Sequence, residues 1–281
     1  MALAPWRTLR PGAVRAEVEP VTKAELDSCP FCAGREEQTP PETFALAPPG
    51  RAADGPGWTA RVVPNKYPAF EHHEVVVHTP RHARSLAELT TEEVDNVATV
   101  WRARAEAARS AGFAYLQAVL NEGRAAGGSL AHTHSQLVWL SEPPPLVRLE
   151  EHAGCALCTV LGQAHPIAAS DGVVLAAPHA ARGPYELLIA PEQHAGDAFA
   201  ATSFDQAIAL LADGIRRLRQ VEGPVPLNAW LHTAPFGGEG HWHIEVLPRA
   251  SVIASLELGA GIYINSLAPE EAAQRLRDAS L

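Results

Sequence analysis

The chain has 281 residues and a mass of 29.9 kDa, and 47% of its residues are hydrophobic, so it can form a large packed core without disulfide support. Charged residues make up 19% of the chain and the mean hydropathy is -0.05, which is typical of a globular protein rather than a disordered or membrane-embedded one. The formal net charge of -10 argues against a nucleic-acid partner, because binding a phosphate backbone requires a basic surface.

The sequence also predicts where the protein is located and what its cysteines do. Residues 1–20 include no apolar stretch suited to a secretory signal, and no window approaches the ~20 apolar residues of a membrane span. We therefore expect a cytoplasmic protein with no membrane partner. In that reducing compartment the four cysteines, Cys29/Cys32 and Cys155/Cys158, are expected to be metal ligands rather than disulfides.

Each Cys-x-x-Cys pair is followed by the same order of structural signals, which indicates an internal duplication. The first half is predicted to contain two strands, a helix and two further strands, at 60–64, 74–78, 89–111, 113–121 and 132–140. The second half is predicted to repeat this order at 172–176, 185–190, 203–221, 227–232 and 241–247. Thr90 or Thr91 resembles an N-cap of the first helix, and Gly112 is placed to end it.

A proline-rich segment separates the two halves. Consecutive prolines do not fit a central strand or a helix interior, so we place a linker at 141–147 between an N-terminal half, 1–140, and a C-terminal half, 148–281. Short loops between strands and helices predict an α+β fold, mostly antiparallel sheet with helices packed on it. The strands could form two small sheets or one fused sheet.

Each half contains two cysteines and two histidines suited to a metal ion. A tight turn that supplies two thiolates, followed later by two imidazoles, is a zinc-binding pattern. The predicted ligand sets are Cys29, Cys32, His82 and His132 in the first half, and Cys155, Cys158, His194 and His241 in the second. The alternative is that one of the cysteine pairs is merely two buried thiols.

The segment around His134 combines a possible nucleophile with possible phosphate-binding groups. If it is extended, His132, His134 and Gln136 project from one face, so His132 can bind metal while neutral His134 attacks phosphorus. The Gly-rich segment 121–129 and Gln136 offer hydrogen-bond donors to a phosphate. The alternative is that both histidines are ligands of a non-catalytic metal site. No phosphate-binding P-loop, dinucleotide-binding glycine motif or serine-nucleophile motif is present.

Several motifs then resemble one known family. They are Cys29-Pro-Phe-Cys32, Arg61-Val-Val-Pro-Asn-Lys-Tyr-Pro68, Gly127-Gly-Ser-Leu-Ala-His-Thr-His-Ser-Gln136, His241-Trp-His-Ile-Glu245 and Leu256-Glu-Leu-Gly-Ala-Gly-Ile-Tyr-Ile-Asn265. From about Cys29 onwards the chain resembles the galactose-1-phosphate uridylyltransferases of the histidine triad superfamily. The resemblance implies two tandem histidine-triad-like halves.

The resemblance also implies residue roles. It makes His134 the nucleophile and His132 a zinc ligand. It implies that the substrate is bound at the phosphate by Gln136, Ser129, Gly128 and Asn121, at the base and ribose by Phe31, Val63 and Asn65, and at the hexose by Glu257. It places His232, His241 and His243 where some relatives hold a second metal, and it leaves zinc and iron as alternatives for the second half.

The implied reaction is exchange of a nucleotidyl group between UDP-glucose and galactose 1-phosphate through a nucleotidyl-histidine, in a homodimer. The family motif usually has proline and often glycine where this chain has Thr133 and Ser135, and the second cysteine pair resembles the plant ADP-glucose phosphorylase branch. Two other substrate classes therefore stay open for the same histidine, ADP-sugars and dinucleoside polyphosphates. Either would be cleaved by phosphate or by water. A non-catalytic, zinc-stabilised nucleotide-binding scaffold is the alternative from another class.

Overall fold

The computed structural model describes residues 1–9, 20–152 and 155–279. Residues 10–19, part of the segment in which no export signal was expected, lie outside the described residues. The strands are β1 (Ala2–Leu3), β2 (Phe44–Leu46), β3 (Ala60–Pro64), β4 (His73–Val77), β5 (Tyr115–Glu122), β6 (His134–Leu140), β7 (His165–Ser170), β8 (Val173–Ala177), β9 (Leu187–Pro191), β10 (Leu227–His232), β11 (His243–Pro248) and β12 (Ile264–Asn265). The α-helices are α1 (Lys23–Ser28), α2 (Thr91–Ser110), α3 (Pro145–His152), α4 (Ala156–Gln163), α5 (Phe204–Glu222), α6 (Ser255–Ala260) and α7 (Pro269–Arg277).

Ten of these strands form one continuous sheet in the order β2-β3-β4-β6-β5-β10-β11-β9-β8-β7. Every neighbouring pair in it is antiparallel, and β5 joins β10 at the centre, so each half contributes five strands. The predicted α+β class is confirmed, and the sheet is the fused one of the two arrangements left open. The strand order of the second half repeats that of the first, mirrored about the β5–β10 pair.

Both outer strands of the sheet were missed by the sequence patterns. β2 has only three residues, and β7 contains Pro166 beside a register shift, as expected at a sheet edge. The segment predicted as a linker contributes its last residues to α3, which begins at Pro145. Proline is tolerated at a helix start because the first N–H groups have no partner within the helix. The division into halves stays a prediction.

The two long helices α2 and α5 cover one face of the sheet and form the main core with it. α2 begins at a capping box between Thr90 and Glu93, and Gly112 follows its end with φ of +85°, as the sequence predicted. A smaller apolar cluster that includes Phe31, Val63 and Val75 is separate from this core. Successive strand residues point to opposite faces of a sheet. Val76 of β4 packs in the main core and Val75 packs in the small cluster, so the two clusters lie on opposite faces of the sheet.

Within the described residues, the helices are either too short or too polar to cross a lipid bilayer.

Glu122, the last residue of β5, is a buried acid whose titration should affect stability. It is 9% exposed and accepts a hydrogen bond from the Leu86 N–H at 2.7 Å. Burial raises the pKa of Glu122 to about 7, although hydrogen bonds from Leu86 and Ser85 oppose this. Because the pKa is higher in the folded than in the unfolded chain, the stabilisation by the protonated acid is complete below pH 4.5 and is lost as the pH rises through 7.

We expect Glu122→Gln to remove this pH dependence, because the amide keeps the acceptor for Leu86 and never ionises. Its free energy of unfolding should lie within about 1 kcal/mol of wild type at pH 5 and exceed wild type by up to about 3 kcal/mol at pH 8. Denaturant titrations of both proteins at the two pH values measure the difference. A difference independent of pH would contradict the assignment.

Candidate active site

The first predicted ligand set is brought together at the start of β6. The ligand atoms of Cys29, Cys32, His82 and His132 all lie within 4.8 Å of one another. His132 Nδ1 is 3.4 Å from the Cys29 Sγ and 3.7 Å from the Cys32 Sγ, and His82 Nδ1 is 3.4 Å from the Cys32 Sγ. Two thiols and two imidazoles in such proximity could hold one tetrahedral metal ion.

The second ring nitrogens of His82 and His132 are bound in a way that supports metal binding. His132 Nε2 lies 2.9 Å from the Thr79 carbonyl oxygen, and His82 Nε2 lies 2.8 Å from the Glu25 carboxylate. Both of these oxygens can only accept, so Nε2 carries the proton and Nδ1 directs its lone pair at the cysteines. An imidazole held in this way by an outer oxygen is the usual arrangement of a metal-bound histidine.

His134, the first residue of β6, has the geometry of a neutral nucleophile. Its Nδ1 donates to the His132 carbonyl oxygen at 2.6 Å, which leaves the lone pair on Nε2. Burial lowers the pKa of His134, so the neutral form is favoured. Phe31 lies edge-on to the imidazole, with 5.3 Å between ring centroids. His134 is not among the described metal-ligand groups.

Gln136 projects from the same face of β6 as His134 and has two polar neighbours. Its Oε1 is 2.7 Å from His73 Nε2 on β4 and 3.5 Å from Asn65 Nδ2, which follows β3. Asn65, predicted to contact base or ribose, also accepts the Tyr67 N–H through its Oδ1. The structure therefore brings Asn65 and Gln136 together, and it adds His73.

Asn121 and the Gly-rich loop are held by the second half. Asn228 of β10 donates through Nδ2 to the Asn121 Oδ1 and to the Ala126 carbonyl oxygen, both at 2.7 Å. The backbone is tightly packed here, since a Cβ atom on Gly128 would lie 2.7 Å from the Asn121 carbonyl oxygen. Only glycine fits at position 128 without a backbone shift.

The remaining predicted substrate residues lie in different surroundings. Phe31 and Val63 are buried in the small apolar cluster, together with Cys29 of the metal-ligand group. Ser129, the last residue of the Gly-rich segment, is exposed. Glu257 lies in α6, where its carboxylate accepts the Ala254 N–H at 3.0 Å. The predicted contact of Glu257 with a hexose stays a prediction.

The two departures from the family motif have a common partner beneath the site. Thr133 Oγ1 lies 3.0 Å from His78 Nδ1, and Ser135 Oγ lies 2.9 Å from His78 Nε2. The Trp101 indole donates to the same Ser135 hydroxyl at 2.9 Å. These buried groups connect β4, β6 and α2 behind the strand that contains His134. A proline at position 133 and a glycine at position 135 would leave His78 without these partners.

The second half contains a matching ligand group that is more exposed. The ligand atoms of Cys155, Cys158, His194 and His241 also lie within 4.8 Å of one another, with Cys158 and His194 exposed. His241 Nδ1 is 3.2 Å from the Cys155 Sγ, and its Nε2 donates to the Pro191 carbonyl oxygen at 2.9 Å. This repeats the contacts of His132 with Cys29 and Thr79.

A third group, adjacent to the second, consists of Glu150, His232 and His243. His232 Nδ1 is 2.9 Å from Glu150 Oε1, and the two imidazole rings have centroids 5.1 Å apart. His243 corresponds to His134 in the duplicated order, but its Nε2 is 3.4 Å from the Glu245 carboxylate, where the first half has Gln136. All members of the second and third groups except Cys158 line a cavity of about 690 Å³ in the C-terminal half.

His73, Asn228 and Glu150 were not predicted from the sequence as site residues. The alternation of β4 offered a signal for His73, because it is the one polar residue among His73, Val75 and Val77, which share the face of the small apolar cluster. The sequence offered no signal for Asn228, because only the pairing of β5 with β10 places it opposite Asn121.

Comparison with known proteins identifies the family. Residues 67–144 match the model of the galactose-1-phosphate uridyl transferase N-terminal domain. A solved galactose-1-phosphate uridylyltransferase-like protein of Arabidopsis thaliana is 30% identical, with 90% of this chain and 93% of that chain covered and a TM-score of 0.78. An ADP-glucose phosphorylase of Arabidopsis thaliana, solved with bound ADP-glucose, is 28% identical over 99% of this chain and 95% of that one, with a TM-score of 0.81.

The galactose-1-phosphate uridylyltransferase of Thermotoga maritima is 26% identical, with 97% of this chain and 95% of that protein covered. The similarity extends over nearly the whole of these proteins. The chain belongs to the galactose-1-phosphate uridylyltransferase family of nucleotidyl-transferring enzymes.

Proposed function

We propose that the chain transfers a nucleoside monophosphate from a nucleoside diphosphate sugar to a phosphate acceptor through a covalent bond to His134. The observation on which this depends is the hydrogen bond from His134 Nδ1 to the His132 carbonyl oxygen, which leaves Nε2 as a lone-pair nitrogen. Gln136 and Asn121 lie on the same face of the sheet, where their amides can contact phosphoryl oxygens.

The reaction has two displacements at phosphorus. The lone pair of His134 Nε2 attacks the α-phosphorus, an N–P bond forms, and the P–O bond to the β-phosphoryl group breaks, which releases a sugar 1-phosphate. An acceptor phosphate oxygen then attacks the same phosphorus, and the N–P bond breaks as its electron pair returns to Nε2. The proton stays on Nδ1 throughout, hydrogen-bonded to the His132 carbonyl oxygen, and this oxygen stabilises the positive charge of the nucleotidylated ring.

The protein lowers the barrier by positioning and by donors directed at the phosphoryl oxygens. The donor set of Cys29, Cys32, His82 and His132 suits zinc, and a zinc ion there would cross-link α1, the segment after β4 and the start of β6. Four protein ligands leave no open coordination position, so this role is structural. The second set suits zinc or iron in a similar role.

An ADP-sugar is the donor that we propose first, with inorganic phosphate as acceptor. The support is the solved relative with bound ADP-glucose, which is 28% identical over 99% of this chain. The resemblance of the second cysteine pair to the same branch agrees with it. The second candidate is exchange between UDP-glucose and galactose 1-phosphate, which the family match over residues 67–144 and the Thermotoga maritima relative favour.

Incubation with α-³²P-labelled ADP-glucose or UDP-glucose distinguishes these candidates. We expect acid-labile label on the protein with ADP-glucose, and its removal by inorganic phosphate with formation of ADP. Label from UDP-glucose that only a hexose 1-phosphate removes would favour the uridylyltransferase. No labelled protein with either donor, while metal and fold are intact, would contradict the proposed function and favour a binding scaffold.

A further inference from the structure

The two amides proposed to contact the phosphate project from one face of the sheet. Gln136 on β6 pairs with Val119 on β5, and Asn121 is two residues beyond Val119, so both side chains share the face of His134. An amide has an acceptor end and a donor end of nearly the same shape. Only the NH₂ end stabilises the negative phosphoryl oxygens, so the orientation of each amide determines whether it assists the reaction.

The orientation of Gln136 follows from backbone groups. The Ala69 N–H donates to His73 Nδ1 at 3.1 Å, so the proton of neutral His73 is on Nε2. That Nε2–H is 2.7 Å from the Gln136 oxygen, which must therefore accept. The Asn65 NH₂ group lies 3.2 Å from the same Nε2 and 3.5 Å from the Gln136 oxygen, and because Nε2 carries the proton, this NH₂ group can donate only to the oxygen. His73 pairs with Val138 on one side of Gln136, and His134 lies on the other. The Gln136 oxygen is thus bound on the side away from His134, and its NH₂ group remains for the phosphate.

The orientation of Asn121 follows in the same way. The Ala126 carbonyl oxygen can only accept, so the Asn228 atom 2.7 Å from it is the NH₂ group. The same NH₂ group donates its second hydrogen to Asn121 at 2.7 Å, which identifies the Asn121 atom there as its oxygen. Asn228 therefore fixes the Asn121 amide and the Gly-rich loop together, from the opposite half of the chain.

We infer that His73 and Asn228 are positioning residues that hold the Gln136 and Asn121 amides with their NH₂ groups toward the phosphoryl oxygens. This inference rests on the proposed nucleotidyl transfer and adds residues that contact neither phosphate nor the reacting atoms. Donors fixed before the substrate binds need no reorientation in the transition state. A freely rotating amide would instead present its oxygen part of the time and repel the phosphate.

The first test compares His73→Gln with His73→Glu, two side chains of the same length. Glutamine still offers an N–H to the Gln136 oxygen, whereas ionised glutamate only accepts and favours the reversed amide. We expect His73→Gln to keep the rate of His134 labelling within about 10-fold of wild type, and His73→Glu to lower it by about 100-fold or more, as for loss of one oxyanion donor. Equal rates for the two variants would overturn the inference for Gln136.

A double-mutant cycle separates amide orientation from the added charge. The same two variants are made in a Gln136→Ala background, where no amide can reverse. We expect the difference between them to fall below about 3-fold there. A difference as large as in the wild-type background means that the glutamate acts by its charge alone, and this result would also overturn the inference.

Asn228→Asp provides the second, independent arm. The aspartate has the same shape but cannot donate to Asn121 or Ala126, so we expect about a 100-fold lower kcat/KM for labelling. In an Asn121→Ala background, we expect Asn228→Asp to lower kcat/KM by less than about 10-fold. This remaining effect comes from the lost hydrogen bond to Ala126 in the Gly-rich loop. Melting temperatures verify that each variant is folded, and this arm tests the orientation of the Asn121 amide separately from that of Gln136. Failure of wild type to label contradicts the proposed function, whereas labelling at wild-type rates in both arms contradicts only the positioning roles.

Discussion

His134→Ala should lower the rate of covalent nucleotidylation by more than about 10⁴-fold, because removal of a nucleophile eliminates the covalent route altogether. The 2.6 Å hydrogen bond from His134 Nδ1 to the His132 carbonyl oxygen leaves a lone pair on Nε2, on the face of the sheet that also contains Gln136 and Asn121. The side chain lies beside the metal-ligand group rather than in it. Metal content and melting temperature should therefore stay close to those of wild type.

The chain provides its own control in the second half. His243 occupies the corresponding position on β11 and also directs Nδ1 at a carbonyl oxygen two residues earlier, at 3.2 Å. Its Nε2, however, lies 3.4 Å from the Glu245 carboxylate, which repels a phosphate. His243→Ala should retain label on the protein. If His243→Ala loses the label and His134→Ala retains it, the nucleophile is His243. If both variants retain the label, neither histidine is the nucleophile.

The metal-ligand groups were predictable from the sequence because cysteine and histidine at these spacings have few other uses. The duplicated order placed Cys29 and His132, which are 103 residues apart, in one set, and their side chains meet at 3.4 Å. The long helices were predictable for a similar reason. For the first helix, a threonine at the start and Gly112 at the end are local signals that the structure confirms.

What the sequence could not provide was the register between strands. Asn228 faces Asn121 only because β10 pairs with β5, and no residue in either strand specifies that partner. The edge strands β2 and β7 were missed because neither shows an alternating pattern that continues over more than a few residues. The roles of His73 and Asn228 depend on distances and tautomers, which spacing along the chain does not determine.

The duplication also explains why one half is the better candidate for catalysis. Both halves keep a ligand group, a paired histidine and a strand of the same order, but the residue two positions after the second histidine is Gln136 in one and Glu245 in the other. Glu245 forms an ion pair with Arg182 and approaches His243, so the second half presents a carboxylate where a phosphate would need a donor. The difference between Gln136 and Glu245 therefore favours the first half as the catalytic one.

Metal removal should affect the two halves in a fixed order. Cys29 and His132 are buried, whereas Cys158 and His194 in the second group are exposed. Release from a buried group requires local opening of the surrounding structure, so a chelator should remove the second metal equivalent first. We expect the chain to keep His134 labelling after loss of that equivalent and to lose labelling when the buried equivalent leaves. Metal analysis and labelling of the same samples over time measure both.

Cys29→Ser and Cys155→Ser test the same order by mutation, since they make the same change at corresponding positions. We expect each to lose one metal equivalent, but Cys29→Ser should also lower the free energy of unfolding by at least about 3 kcal/mol, or roughly 10 °C in melting temperature, because the ion fixes His132 next to β6. Cys29→Ser should abolish labelling of His134, while Cys155→Ser should retain this labelling.

Full metal content in Cys29→Ser would show that Cys29 is not a metal ligand. Equal loss of labelling in both variants would mean that the second half also supports the nucleophile, through the β5–β10 pairing that joins the two halves of the sheet.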